Sequence, residues 1–303
     1  IDRVFNNPQF FGGFENLSAL FLYSLQVYAD FSGYTDIAIG LSLLMGFYLP
    51  LNFNSPYKAQ NAGNFWKRWH ISLSRWLQTY LYIPLGGNRN ITFGTYFWIS
   101  TITLIALILS GNLYVALTVL ALALAVIFTA WRYPEKRKHI YANLNSMITM
   151  LLGGLWHGAS MNFMIWGGLN GIGMVIFKFW RDMSLLSRAL VPTLLSVVLY
   201  VLKLYSFLPL WNLLLFFMLF IAASAWIRYI YNLAGCKNPL TWLNRGWSIL
   251  VTFTFITFTR LFFRSGSNLD PAIANETAWG IAKDMINSIG TQWNVNVLDV
   301  ISA

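Results

Sequence analysis

Two uncharged runs, Phe93 to Leu109 and Leu113 to Trp131, flank Ser110-Gly111-Asn112, and this pair constrains the fold more than any other feature. A helix needs roughly 20 apolar residues to cross the hydrocarbon layer, and both runs approach that length. Glycine between serine and asparagine is a turn signal, so the pattern predicts a transmembrane hairpin with both ends on one side. With 57% hydrophobic and 10% charged residues, a chain of 303 residues carries more apolar surface than a soluble core can hide. Its solvent is largely lipid, where backbone groups are satisfied only in helices or closed barrels. Strong period-2 alternation, the mark of a barrel, is absent. The expected fold class is therefore an all-α polytopic membrane protein, a multi-helix bundle.

The net charge of +10 does not point to nucleic acid, because the basic residues form short clusters between apolar runs, where cytoplasmic loops carry them. Lys58 to Arg89 holds Lys58, Lys67, Arg68, Arg75 and Arg89 with no acid, and Arg132 to His139 holds Lys136, Arg137 and Lys138. Both are expected at the cytoplasmic surface, together with Arg228 to Arg245. A second hairpin is expected from Leu190 to Leu208 and Trp211 to Ile227, turning near Pro209, and a further crossing from Ser248 to Phe263, charged only at Arg260. Beyond Gly266 the balance turns acidic, which fits an outside surface. The single cysteine, Cys236, excludes an internal disulfide and a cysteine-rich metal site. The chain opens on Ile1 without the basic and short apolar regions of a signal peptide, and is expected to be an excerpt.

Three places stand out chemically. Between Asn16 and Pro56 there is no basic residue, yet Asp30 and Asp36 lie in otherwise membrane-like sequence, around Ser32-Gly33. On a continuous helix the two carboxylates point about 120° apart and make no obvious acid/base pair. A break at Ser32-Gly33 would change that, and a structural role, paired with an Arg or His of another helix, is favoured. Second, the stretch from Trp66 to Leu81 is two-faced on a helical wheel, with Trp66, Trp69, Leu73, Trp76, Leu77 and Tyr80 on one arc and Lys67, Arg68, Arg75, Gln78 and Thr79 on the other. It is expected to lie as a helix in the membrane interface. His70 falls toward the apolar side, where packing is the commoner role for a histidine.

Third, Asn143 to Phe177 is uncharged apart from His157 and too long for one untilted crossing, and its seven glycines permit close contacts, breaks or a re-entrant path. An ionisable ring in such a run is a functional hypothesis by default. Burial disfavours imidazolium and leaves a neutral ring able to take a proton, as a general base must. A histidine bridging helices is an equal alternative on the residues alone. There is no G-x-S-x-G elbow, P-loop or H-E-x-x-H, and no carboxylate-histidine cluster at metal spacing, so no metal ligands are assigned.

Four strings together resemble the membrane-bound O-acyltransferase superfamily, in its bacterial branch similar to the alginate O-acetyltransferase membrane subunit. They are Gln26-Val27-Tyr28-Ala29-Asp30-Phe31-Ser32-Gly33-Tyr34-Thr35-Asp36-Ile37-Ala38, then Phe65-Trp66-Lys67-Arg68-Trp69-His70-Ile71-Ser72-Leu73-Ser74, then Tyr82-Ile83-Pro84-Leu85-Gly86-Gly87-Asn88-Arg89, and Gly153-Gly154-Leu155-Trp156-His157-Gly158-Ala159 followed by Trp166-Gly167 and Asn170-Gly171. The resemblance implies a bundle with interfacial helices and a central tunnel, with His157 as the catalytic histidine and His70 as a second residue needed for activity. Trp69, Arg68, Lys67, Asp30, Asp36 and Asn170 are candidate substrate-binding or supporting residues. It also implies a single membrane domain over residues 1–303, with helices missing at both ends and residues 90–142 as an extra hairpin and basic loop.

The implied activity is transfer of an acetyl group from a cytoplasmic thioester, acetyl-CoA, toward an extracytoplasmic polysaccharide through a partner acetyltransferase. No bound cofactor is implied, and the location is the bacterial cytoplasmic membrane. Transfer of D-alanine or another acyl group from a carrier protein is the near alternative. A proton- or ion-coupled transporter relaying through Asp30, Asp36 and His157 is the alternative of another class, although no internal repeat supports it.

Overall fold

The computed structural model describes residues 1–206, 208–235, 241–267 and 274–291, with the side chains of residues 241 and 274–276 outside that description. Among these residues the regular structure is helical. In chain order the helices are α1 (Asp2–Asn6), α2 (Gly13–Leu44), α3 (Ala62–Trp66), α4 (Ile71–Leu77), α5 (Phe93–Ser110), α6 (Leu113–Arg132), α7 (Arg137–Leu155), α8 (Met161–Asp182), α9 (Leu185–Tyr205), α10 (Leu210–Leu233), α11 (Thr241–Ser265) and α12 (Ala274–Thr291). Six of them, α5, α6, α8, α9, α10 and α11, are long and apolar enough to cross a membrane. At about 1.5 Å per residue, the 20 residues of α6 span about 30 Å, the thickness of the hydrocarbon layer. The chain is a multi-pass membrane protein.

The chain forms two compact units. One comprises residues 1–25, 176–247 and 280–303, and the other residues 26–175 and 248–279. In the first, α9 and α10 make the hairpin expected around Pro209, which begins α10. Ser184 caps α9 by accepting from the Ser187 N–H, and the Trp226 indole N–H donates to Thr193 Oγ1 at 2.9 Å across the pair.

In the second unit, α5 and α6 form the hairpin expected at Ser110-Gly111-Asn112. Gly111 takes the left-handed conformation (φ 59°) that ends α5, and Asn112 Oδ1 accepts from the Tyr114 N–H to start α6. The hairpin packs on α7 through Ile99, Ile102, Ala106, Leu144 and Ile148, so it shares a core with the helix that leads to His157.

Two expectations are corrected: an Arg or His partner for Asp30 and Asp36, and a single helix over Trp66 to Leu81. The carboxylate-bearing stretch does not break: α2 runs unbroken through Asp30 and Asp36, and the Ser32 and Thr35 hydroxyls bond back to the Ala29 and Ser32 carbonyls of the same helix. A helix satisfies its own backbone, and the hydroxyls add to that rather than open it. Both carboxylates are exposed, and neither has the expected Arg or His partner among the described residues.

The second correction concerns Trp66 to Leu81, which is not one helix. It is α3, a turn over residues 67–70, α4, and a π-helical turn over Gln78–Tyr82. The turn is held by strand-like pairing with Asn52 to Asn54: the Asn54 N–H donates to the Arg68 carbonyl at 2.9 Å, and the Ile71 N–H to the Asn52 carbonyl at 3.0 Å. These long-range bonds outweigh the helical periodicity of the sequence. Half of the acidic C-terminal stretch, residues 268–273 and 292–303, lies outside the described residues, as does Cys236.

Candidate active site

Helices α7 and α8 cross at Gly154 and Gly167. A methyl group on Gly154 would strike the Phe163 carbonyl oxygen and lie 3.2 Å from the Gly167 Cα, and one on Gly167 would strike the Met150 carbonyl oxygen. Close backbone approach is what small residues allow in a membrane bundle. Immediately after this crossing α7 ends, with the Trp156 N–H on the Leu152 carbonyl and the His157 N–H on the Gly154 carbonyl. His157 therefore occupies a turn between α7 and α8, outside the six candidate spans. Gly158 is needed there as well, because a Cβ would lie 2.7 Å from the Phe163 ring.

The His157 ring is enclosed by aromatic side chains. Ring centres lie at 4.9 Å for Trp156, 5.2 Å for Trp166, 4.9 Å for Phe263 and 6.1 Å for Phe163. It lines a cavity of about 310 Å³ together with Lys67, Ser74, Gln78, Tyr82 and Thr149, near the lower end of the range for small-molecule sites. Apolar walls with a few convergent polar groups suit an acyl chain and the oxygen or sulfur atoms attached to it.

His70 sits in the turn before α4 with φ 44°, a left-handed conformation costing a non-glycine residue about 1–3 kcal/mol. Asn52 helps to hold it there, its Oδ1 accepting from both the Ser72 N–H and Ser72 Oγ at 3.0 Å. The imidazole lies 4.8 Å from the Phe31 ring and 6.1 Å from that of Trp156, so one indole, Trp156, neighbours both histidines. Burial lowers the pKa of each ring. For His157 the charges of His70 and Arg260 push in the same direction after burial. Burial thus favours the neutral form of both imidazoles, and among the described residues neither makes a hydrogen bond.

The remaining candidates divide. Trp69 is 5% exposed and packs among Phe53, Phe65, Tyr28 and Tyr57, a structural setting directly beside His70. Arg68 donates to Asn64 Oδ1 and the Asn54 carbonyl, both at 3.1 Å, and so pins the turn. Lys67 is exposed and reaches the cavity wall. Asn170 is buried. It accepts from the Trp66 indole at 3.3 Å, donates to the Trp166 carbonyl at 2.8 Å, and lies 3.3 Å from Thr259, joining α3, α8 and α11. Asp30 and Asp36 have no bond or ion pair to any of these groups. Sequence reasoning passed over two contributors. Arg260 and Phe263 of α11 stand at the site, and the signal for Arg260 was its being the lone charge of that crossing.

With this geometry in view, residues 6–130 match the membrane-bound O-acyltransferase family. The chain is also similar to the probable alginate O-acetylase AlgI of Azotobacter vinelandii, 42% identical over 159 residues, which are 52% of this chain and 22% of that protein. Over these residues it is similar to the membrane-bound O-acyltransferase family. The peptidoglycan O-acetyltransferase of Helicobacter pylori is 37% identical over 174 residues (57% of this chain, 24% of that protein). The teichoic acid D-alanyltransferase of Bacillus subtilis is 26% identical over 166 residues (55% and 32%). The chain therefore aligns with a third or less of the length of these relatives. The family match includes His70 and ends before His157.

Proposed function

We propose that this chain is part of a membrane O-acyltransferase that modifies a cell-envelope polymer, with His157 as general base. The observation that carries the reading is the His157 imidazole: enclosed by aromatic rings, without a hydrogen bond among the described residues, on the wall of a cavity large enough for an acyl group, and favoured in its neutral form by burial. A ring bridging helices would be hydrogen-bonded to both. The reading assigns the donor as an acetyl thioester, acetyl-CoA, entering from the cytoplasmic face near Lys67. The acceptor is an extracytoplasmic polysaccharide, reached through a partner acetyltransferase, in the bacterial cytoplasmic membrane. Residues 1–303 act as one membrane domain, with 90–142 as its inserted hairpin, and His70 orients or polarises the same site.

The acetyltransferase relatives, at 42% and 37% identity, favour acetyl over D-alanyl transfer, for which the relative is 26% identical. A donor-swap assay separates the two, and turnover with carrier-bound D-alanine but not acetyl-CoA would reverse the choice. A proton relay through Asp30 and Asp36 finds no support, since neither bonds to any group around His157.

The decisive variants are His157→Ala and His157→Gln in the intact protein. Loss of a positioned general base forfeits about 10²–10⁴ in rate, so both should lose nearly all acetyl transfer while still folding, because no charge is stranded. An amide can hydrogen-bond but cannot take the proton at neutral pH, so near-normal transfer by the Gln variant would end the proposal.

A further inference from the structure

Arg260 is a cation in a place where cations are not usually left alone. It belongs to α11, one of the candidate membrane spans, and is 2% exposed. Its guanidinium carbon lies 4.2 Å from the centre of the Trp69 ring and 5.8 Å from that of Phe263. Among the described residues no carboxylate, carbonyl or hydroxyl accepts from it, and its Nε is buried without a partner. Aromatic faces offset part of the charge but leave in-plane N–H donors unused, and a guanidinium has five. A buried cation with idle donors is costly unless an anion meets it.

The surroundings say which anion. Phe263 contacts Arg260 and, at 4.9 Å, the His157 ring, while Trp69 beneath the guanidinium is the residue before His70. Arg260 also contributes to keeping His157 neutral, so its charge is felt at the base itself. The cation thus shares Phe263 with His157 and stands on the ring next to His70, and among the described residues no anion pairs with it.

Building on the acyl-transfer reading above, we propose that Arg260 binds the acyl carbonyl oxygen of the thioester donor as that oxygen becomes an oxyanion. The acceptor hydroxyl gives its proton to His157, its oxygen bonds to the acyl carbon, and the carbonyl π pair moves onto the oxygen held by Arg260. On collapse the carbonyl re-forms, the C–S bond breaks, and the leaving thiolate takes the proton back from His157. Nothing is oxidised or reduced, and no reactant beyond the thioester and the hydroxyl is needed. Donors aimed at a developing oxyanion stabilise the transition state more than the ground state, which raises kcat rather than lowering KM.

The test uses Arg260→Met and Arg260→Lys in the intact protein, with His157→Gln alongside. Acetyl transfer from acetyl-CoA is followed across pH, and melting temperature is measured in detergent. Arg260→Met is expected to lower kcat about 10²–10³-fold with little change in donor KM. Its melting temperature should hold, because an unpaired buried charge is removed. Its acid limb in kcat/KM should move to higher pH, since the cation beside His157 is gone. Arg260→Lys keeps the charge and the position of the acid limb, but loses part of kcat because an ammonium does not reproduce the planar fork.

A kcat for Arg260→Met close to the parent's, whatever its melting temperature, would show that the guanidinium is only a packing element. Should that variant fail to fold, parental kcat in Arg260→Lys overturns the proposal in its place. A rise in acceptor KM at constant kcat would place the anion on the acceptor and equally overturn it. Activity in His157→Gln would remove the acyl-transfer reading itself. A dead His157→Gln beside an active Arg260→Met removes only the assignment of Arg260.

Discussion

Trp69 and His70 are neighbours with different tasks. Trp69 fills an aromatic cluster with ring contacts of 4.9 Å to Phe53 and 5.6 Å to Phe65. Its truncation to alanine should cost about 3–5 kcal/mol of packing and lower the melting temperature markedly. His70 is held left-handed against its steric preference, so His70→Gly relieves that strain while removing the ring. The glycine variant should melt close to the parent and yet lose acyl transfer, as measured on the folded fraction in detergent. If it melts earlier than Trp69→Ala and keeps its turnover, His70 is a structural residue. Sequence alone marked both residues, but it put His70 on a helical apolar face. The turn that displaces it depends on Asn52 and Asn54, which are distant in the chain and carry no motif of their own.

The elements around the site depend on one helix crossing. Gly154 and Gly167 bring α7 and α8 together, and the end of α7 just beyond them presents His157. Gly154→Ala must push the helices apart, an overpacking cost of about 1–3 kcal/mol, and should lower melting temperature and acyl transfer together. Gly40→Ala in α2 is the control, because nothing lies within 4 Å of the added methyl group. That variant should be neutral or slightly stabilising. Equal behaviour of the two in thermal melts would mean that the crossing is looser than described. The glycine-rich run announced close contact and a break. Which glycine faces a carbonyl, as Gly154 does, and which faces open space, as Gly40 does, is a matter of neighbours that glycine content does not encode.

For the molecule as a whole, the basic stretches Lys58 to Arg89, Arg132 to His139 and Arg228 to Arg245 should share the cytoplasmic side, since short loops rich in Lys and Arg are retained there. In a Cys236→Ala background, Arg137→Cys should react with an impermeant thiol reagent only when the cytoplasmic face is open. Residue 137 is exposed at the start of α7, so labelling from the outside would invert the assigned topology. The membrane character and both hairpins were determined by the sequence itself, because hydropathy, charge and turn residues act locally and each run reports its own solvent. Only the tertiary structure decided that α2 runs unbroken past Asp30 and Asp36, that the Trp66 to Leu81 stretch folds as a turn with His70 at its end, and that Arg260 faces the same aromatic cage as His157. Those outcomes depend on which distant groups meet, and a buried cation or a strained histidine becomes recognisable only once its neighbours are in place.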